Sequence, residues 1–310
     1  MPINAFAKAT FPYRDRIHSY FTTTNFGSEE RFNLWIDVMG TFTDEDRNRF
    51  RFDTICLHLM DEKKVLIVIP ERANPKIYLS WFEDLARRFG DDEDKLRNVH
   101  IIFSGCVVDQ IGTDGKFHSV KDLYGEFNAS AMDEFLREES DEYDYNFPHS
   151  QVTCENISKN TGDQACVLAN MIVGSSSDLV VFLGPCEHVP RFALTVHHGI
   201  RTYEKCFRGV YRSRLEKIQI LVYPIFRDGG WDAMTDMKGM TCAMDAFGPL
   251  DTDEDRLRIF PKKVRGRELV ERIGEEMYGQ NASTFIMNVT TLEDALSDPL
   301  FALEFDFLNT

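Results

Sequence analysis

Two short apolar segments separated by a long helical pattern place the strongest constraint on the fold of this chain. The segments are Leu179–Leu183 and Ile218–Tyr223, and a helical stretch between about Arg191 and Leu215 lies between them. A strand, a long helix and a second strand form a βαβ crossover, which brings the two strands together in parallel. The sequence therefore predicts an α/β fold with a βαβ-like crossover around residues 179–223.

The N-terminal half shows patterns that are typical of antiparallel pairing. Thr54–Met60 and Lys64–Ile69 are separated by a short charged turn, which predicts a β-hairpin. The next strand, Val99–Val108, is turned by Gly112–Gly115 into Lys116–Val120. We therefore expect a mixed sheet, with antiparallel hairpins in the N-terminal half.

Helical periodicity and one linker complete the predicted organisation. The predicted helices of the N-terminal half are 28–39, 74–89 and 129–139. A glycine and serine linker at Gly174–Asp178 then favours two lobes. We expect an N-terminal mixed α/β lobe (1–174) and a C-terminal α/β lobe (175–310), with a single continuous domain as the alternative.

Charge and cysteine usage indicate the compartment and exclude some partners. The chain has 35 Lys and Arg against 51 Asp and Glu, a net charge of −16, so wrapping of nucleic acid by the whole surface is disfavoured. Its seven cysteines form no CxxC pair, and apolar runs such as Val65–Pro70 are far shorter than a membrane span. The N-terminal residues do not match a secretory signal. We predict a cytoplasmic protein with free thiols and no membrane association.

Cys166 is the strongest candidate nucleophile. It follows a glycine-containing turn at the start of a predicted helix, where the helix N-terminus favours a thiolate. A nucleophilic cysteine also needs a base and an orienting carboxylate. His100, at the start of a strand, and Asp122, after the next strand, are the candidates.

The order His100, Asp122, Cys166 resembles in outline that of the Ulp-type cysteine peptidases. The segments HIIFSGCVVD, GKFHSVKDLYG and ENISKNTGDQAC would match the histidine strand, the aspartate strand and the loop before the cysteine. Where that family has Trp after the histidine and Gly after the cysteine, this chain has Ile101 and Val167. The resemblance implies a cysteine hydrolase or acyltransferase. The alternative is a structural thiol, and we expect Cys166 to pack into the core with no histidine within hydrogen-bond reach.

Motifs for a metal or a nucleotide are weak or missing. Cys186, Glu187 and His188 are potential ligands in one loop, but the sequence has no HExxH pair. Neither GxxxxGK[ST] nor GxGxxG occurs after a strand. We therefore predict no metal and no cofactor.

A basic stripe crosses the long helical stretch. Arg201, Lys205, Arg208 and Arg212 fall on one side of a helix, a local positive excess in an acidic protein. Such a stripe can bind phosphates or an acidic partner, which makes a nucleic-acid-associated protein a second alternative, although a disfavoured one. A solvated helix face is the simpler interpretation.

Aromatic residues near the chain ends support the preferred function. The sequence holds 25 Phe, and Phe301, Phe305 and Phe307 lie in the last ten residues or so. Aromatic side chains outside a core are the usual anchors of interfaces. We therefore predict a non-catalytic intracellular protein that acts by self-assembly or by binding another protein, with the cysteine hydrolase as the alternative.

Overall fold

The structure is a computed structural model of the whole chain. The residues that it describes are 45–70, 76–89, 93–105, 110–111, 117–118, 128–139, 145–158, 161–185, 189–207, 212–225, 263–264, 267–268 and 292–304. The helix predicted over residues 28–39 lies outside these ranges.

A five-stranded sheet forms the centre of the fold, and every pairing within it is parallel. Its strands are β1 (Val65–Pro70), β2 (Val99–Ser104), β3 (Val152–Glu155), β4 (Leu179–Pro185) and β5 (Gln219–Ile225). Their spatial order is β3-β2-β1-β4-β5. All six residues of β1, the central strand, are buried, as expected for a parallel sheet covered on both faces.

Helices cover both faces of this sheet. The helices are α1 (Glu45–Met60), α2 (Lys76–Phe89), α3 (Glu93–Leu96), α4 (Ala129–Glu138), α5 (Thr161–Gly174), α6 (Val189–Cys206), α7 (Arg212–Leu215) and α8 (Leu292–Leu296). Residues of α1, α2 and α4 pack in one core with Val65 and Ile67 of β1. Residues of α5 and α6 pack in the second core with Leu66 and Val68. Successive side chains of β1 therefore point to opposite faces of the sheet and pack in two separate cores.

The α/β class and the crossover around residues 179–223 are confirmed, but the predicted mixed sheet is wrong. Thr54–Met60 forms the end of α1 rather than a strand. Its apolar residues fit a helix as well as a strand, because Ile55, Cys56 and Leu59 turn to one side and pack in the core. The predicted first hairpin is therefore a helix, a turn and the parallel strand β1.

The second predicted hairpin is also absent from the main sheet. Strand β2 lies between β1 and β3 and pairs with both in parallel. Among the described residues of this region, Gln110–Ile111 pairs antiparallel with Phe117–His118, on either side of the predicted turn, in a two-stranded ladder separate from the main sheet. A second small ladder joins Lys263–Val264 to Arg267–Glu268. The strands of the main sheet come from both predicted lobes, since β1 pairs with β4.

The segment 292–304 wraps the edge strand β5. Its residues Ala295, Leu300 and Phe301 are buried in the core beside α5 and α6. Four residues after Leu300, Glu304 accepts the backbone N–H of Val222 at 2.7 Å and is bonded to Arg51 of α1 on the other face. The segment therefore covers an edge that would otherwise expose unpaired backbone groups.

A close helix contact holds α5 against α6. A Cβ atom added at Gly199 of α6 would lie 2.7 Å from the carbonyl oxygen of Ala165 in α5. Any larger residue at position 199 would push the two helices apart. Among the described helices, none combines the length and the apolar character that a membrane span needs.

Candidate functional site

The outward side of α1 carries an unusual set of exposed apolar side chains. Phe50, Leu57 and Met60 are 56%, 57% and 52% exposed, and we call them the outer stripe. Their spacing of seven and three residues places them along one side of the helix. They are three of the five exposed large hydrophobic residues in the described part of the chain. The outer stripe is therefore the clearest candidate for an interaction surface.

The opposite side of α1 explains why the helix is held with this stripe outward. Ile55 and Leu59 are fully buried in the core, and Asn48 and Arg51 are buried beside them. Asn48 Nδ2 donates to the carbonyl oxygen of Pro224 in β5 at 2.9 Å. A surface helix normally turns polar residues outward, so apolar residues on both sides of α1 require a separate explanation.

A buried ion pair fixes α1 to the C-terminal segment. Arg51 and Glu304 are 0% and 1% exposed, and Arg51 Nη2 lies 2.7 Å from Glu304 Oε2. Arg51 Nε donates to Glu304 Oε1 at 3.0 Å, and Nη1 donates to Asn48 Oδ1 at 3.1 Å. These bonds satisfy the charges that burial would otherwise penalise. They set the rotation of α1 and so the direction in which the outer stripe points.

A second polar cluster pins the same segment to α6. Asp298 Oδ2 lies 2.9 Å from His197 Nε2 and accepts from Arg201 Nε at 2.6 Å. Asp298 Oδ1 accepts the N–H of Leu300 at 3.0 Å. Burial opposes ionisation of Asp298, but the bonds from His197 and Arg201 hold its pKa well below the ordinary value. His197 is thus part of a structural contact between α6 and this segment.

The predicted interface residues are only partly described. Phe301 is fully buried, and its ring lies 5.2 Å from that of His197 within the same chain. Phe301 is therefore not an exposed anchor: it ends the short 3-10 helix Pro299–Phe301, which Asp298 caps, and its ring is buried in the core of its own chain. Phe305 and Phe307 lie outside the described residues.

The predicted basic stripe is interrupted. Helix α6 ends at Cys206, Arg212 belongs to the separate helix α7, and Arg208 lies outside the described residues. Arg201 is bonded to Asp298 and to Glu204, whose acceptors raise its pKa against the effect of burial. Only Lys205 and Arg212 are exposed among the described members, and Arg212 lies 3.4 Å from Glu216. The described residues therefore do not form one continuous basic face.

The three candidate catalytic residues are not brought together in the part of the chain that is described. His100 is at the start of β2, and its Nε2 lies 2.9 Å from Thr153 Oγ1. Cys166 lies near the start of α5 and is exposed, so the expected burial of this thiol is wrong. Gln164, two residues before it, donates to the carbonyl of Ser104 at the other end of β2, about 13 Å along the strand from His100. Asp122 lies outside the described residues.

A buried network lies at the carboxyl ends of β2 and β3. Glu155 Oε2 accepts from Ser104 Oγ at 2.8 Å, and Glu155 Oε1 accepts the N–H groups of Ile157 at 2.7 Å and Ser158 at 2.8 Å. Gln164 Nε2 donates to the Ser104 carbonyl at 2.7 Å. Three donors thus stabilise a carboxylate with little exposure, and they shape the turn that leads into α5. This network supports the loop rather than offering an open site.

In an open parallel sheet, ligands are expected where neighbouring strands send their connections to opposite faces. Here that point lies between the carboxyl ends of β1 and β4. A Cβ atom added at Gly184 of β4 would lie 3.2 Å from Pro70 Cγ of β1. The proline ring therefore packs directly on the glycine, so these two described strand ends are in contact.

A groove of 610 Å³ lies at the opposite end of the strands, where they begin. It is lined by the residues before and within the start of β1 and β2, by residues just before β3, and by the serine run after α5. Its polar groups include Lys64, Arg97, His100 and Ser176. Burial lowers the pKa of His100, which favours its neutral form.

Comparisons with protein-family models, with curated proteins and with solved structures gave no match. The fold alone defines the class, an α/β protein with a parallel sheet between two layers of helices. The described residues contain no group of three His, Cys, Asp or Glu side chains suited to a metal, and Cys186–His188 lies outside them. The function is therefore argued from the geometry of this chain.

Proposed function

We propose that the protein acts by non-catalytic self-assembly, through pairing of α1 helices from two copies. The single observation that carries this proposal is the outer stripe, whose three side chains are each more than half exposed on a helix fixed by a buried ion pair. Burying such side chains removes apolar surface from water, which stabilises association. The rigid anchoring of α1 means that little ordering is needed when the stripe is covered.

The helix dipoles favour an antiparallel pair, because the N-terminus of one α1 then lies beside the C-terminus of the other. The same arrangement sets Phe50 of one copy level with Met60 of the second.

The size of the surface predicts modest affinity. A helix of 16 residues is about 24 Å long, so two paired helices cover less than the roughly 800 Å² per partner of a standard interface. A dissociation constant on the order of micromolar is therefore expected. Since the net charge is −16, added salt should strengthen rather than weaken the pairing by screening repulsion between copies.

A charge placed in the outer stripe tests the proposal. Leu57→Glu should convert the dimer to monomer in light scattering at about 50 μM, because the new carboxylate would be desolvated in the interface. Ile157→Glu is the matched control, since Ile157 is 78% exposed on a loop away from α1, and it should leave the dimer intact. Equal behaviour of the two variants would contradict the proposal.

Localisation in the cytoplasm is part of the same proposal. The described cysteines Cys56, Cys154, Cys166 and Cys206 are all free thiols. Free thiols, two of them exposed, suit a reducing compartment. Retention of unlinked chains after rapid alkylation of cells would support this location, and disulfide-linked chains would oppose it.

A further inference from the structure

Segment 292–304 is attached to the rest of the fold in the manner of a bound peptide. Some of its backbone bonds are local: the Asp298 N–H donates to the carbonyl of Ala295 at 3.0 Å, and the Phe301 N–H donates to that of Asp298 at 2.9 Å. Two carboxylate side chains bond it to other elements, Asp298 to α6 and Glu304 to α1 and β5. Side chains therefore carry the recognition, as they do when a short helical peptide lies in a groove.

The charges of this segment are complementary to those of the cleft that holds it, which is formed by α1, β5 and α6. The segment has four acidic residues and no Lys or Arg. The cleft presents Arg201 and His197 at one end, to Asp298, and Arg51 at the other, to Glu304. The side chains of Arg51 and His197 are 0% and 2% exposed, and that of Arg201 is 26% exposed. Arginines held in this way are suited to binding carboxylates, here in a protein whose net charge is −16.

Apolar anchors lie between the two carboxylates. Leu300 and Phe301 are fully buried in the core beside α5 and α6, and the Phe301 ring lies 5.2 Å from that of His197. Leu303 is half-buried and packs against the core on the other face of the sheet. Buried apolar anchors at the centre with charged groups around them are typical of a peptide in its binding site.

We propose that this cleft is a binding site for an acidic peptide of a partner protein, and that segment 292–304 is its resident competitor. The peptide that fits has a carboxylate at the position of Asp298, bulky apolar residues two and three positions later, and a second carboxylate at the position of Glu304. Its apolar residues would replace Leu300 and Phe301, so the core would stay filled during the exchange. The proposal does not rest on pairing of α1 helices.

The resident segment sets the affinity that a partner needs. Because the segment is tethered, its effective concentration is on the order of millimolar. A free copy of the segment should therefore bind the unchanged chain weakly, and it should bind more tightly once the resident segment is weakened.

A labelled synthetic peptide with the sequence of residues 292–304 tests the site in the full-length chain by fluorescence anisotropy. Asp298→Asn weakens the resident segment and leaves the cleft intact. This chain should bind the peptide about tenfold more tightly than the unchanged chain does, the factor expected for one charged hydrogen bond. Glu216→Gln removes an exposed carboxylate outside the cleft and should leave the affinity unchanged. Should Asp298→Asn fail to fold, Leu303→Ala replaces it and should tighten binding severalfold.

A second peptide, in which Asn stands at the position of Asp298, tests the role of the carboxylate. It should bind the Asp298→Asn chain about tenfold more weakly than the first peptide does. Equal binding of the two peptides, equal affinity of the Asp298→Asn, Leu303→Ala and unchanged chains, or no saturable binding to any of them would overturn the proposal. The Leu57→Glu chain should bind the first peptide as the unchanged chain does. Loss of binding there would place the peptide on the outer stripe and would also overturn the proposal.

Discussion

Removing the negative charge of Glu304 should destabilise the fold more than any change to a surface ion pair. The Glu304 carboxylate accepts from Arg51 Nη2 at 2.7 Å, from Arg51 Nε at 3.0 Å and from the Val222 N–H at 2.7 Å. Glu304→Gln keeps an oxygen for one of these donors but turns an amide NH₂ toward the guanidinium. Arg51 is 0% exposed, so its charge would remain buried without a counter-charge. Breaking such a pair costs about 3–5 kcal/mol.

Urea denaturation at 25 °C measures this cost. The transition can be followed by tryptophan fluorescence at a low and fixed protein concentration, since Trp81 is 5% exposed in the core. Glu216→Gln is the control, because its pair with Arg212 is exposed, and it should change the free energy of unfolding by less than about 0.5 kcal/mol. Replacing both partners, Arg51→Met with Glu304→Met, should recover much of the loss. A change below about 0.5 kcal/mol for Glu304→Gln would show that the buried pair contributes little to stability.

Three further predictions concern packing, pH and thiol reactivity. Gly199→Ala should lower the free energy of unfolding by about 1–3 kcal/mol, as measured by thermal unfolding. Gly174→Ala is the control and should lower it much less, because nothing lies within 4 Å of the added Cβ. Equal losses would contradict the close contact of α5 and α6. The Asp298→Asn variant should be less stable than the unchanged chain at pH 7, and the difference should shrink below about pH 4. The reason is that a carboxyl whose folded pKa is depressed loses its contribution to stability as it is protonated. Guanidinium titrations at several pH values measure this difference, and a difference independent of pH would argue against the contact. A maleimide probe at pH 7.5 should modify the exposed Cys166 quickly and spare Cys56, because burial raises the pKa of the Cys56 thiol to about 11. Mass spectrometry of tryptic peptides measures the order of modification, and faster labelling of Cys56 would contradict the prediction.

The sequence predicted the helices α2 and α4 correctly, because the apolar periodicity and the boundary residues that define them are local. The helix over 74–89 was predicted from its apolar face, and α2 buries Trp81 and Leu85 on that face. The acidic helix over 129–139 corresponds to α4, which Asn128 caps through its side chain. In both, one periodicity dominates and the boundary residues agree with it.

Ambiguous patterns explain the errors. The end of α1 has apolar residues that suit both a strand and a helix, so local sequence could not separate the two structures. Helix α5 is apolar around most of its circumference. The side of the helix that faces the core is the one on which Ala165, Leu168 and Ala169 pack. Cys166 lies on the other side and is exposed. A thiol next to buried neighbours in sequence is therefore not necessarily buried itself.

The candidate sites depend on contacts between distant parts of the chain. Arg51 and Glu304 are 253 residues apart, and His197 and Asp298 are 101 apart. The groove joins chain segments near Lys64, Arg97, Gln151 and Ser176, none of which forms a motif alone. Asp298 before Pro299 is the one local signal that sequence could have used, as an N-cap followed by proline.

A photo-cross-link from the outer stripe tests pairing of α1 helices directly. Benzoylphenylalanine in place of Phe50 keeps an aromatic side chain at a position that is 56% exposed. We expect a covalent product of twice the chain mass of 35.8 kDa, with the cross-linked peptide coming from residues 57–60 of a second copy. A product of single-chain mass, with the link inside the same chain, would contradict pairing of α1 helices, as would the absence of any product at about 50 μM protein.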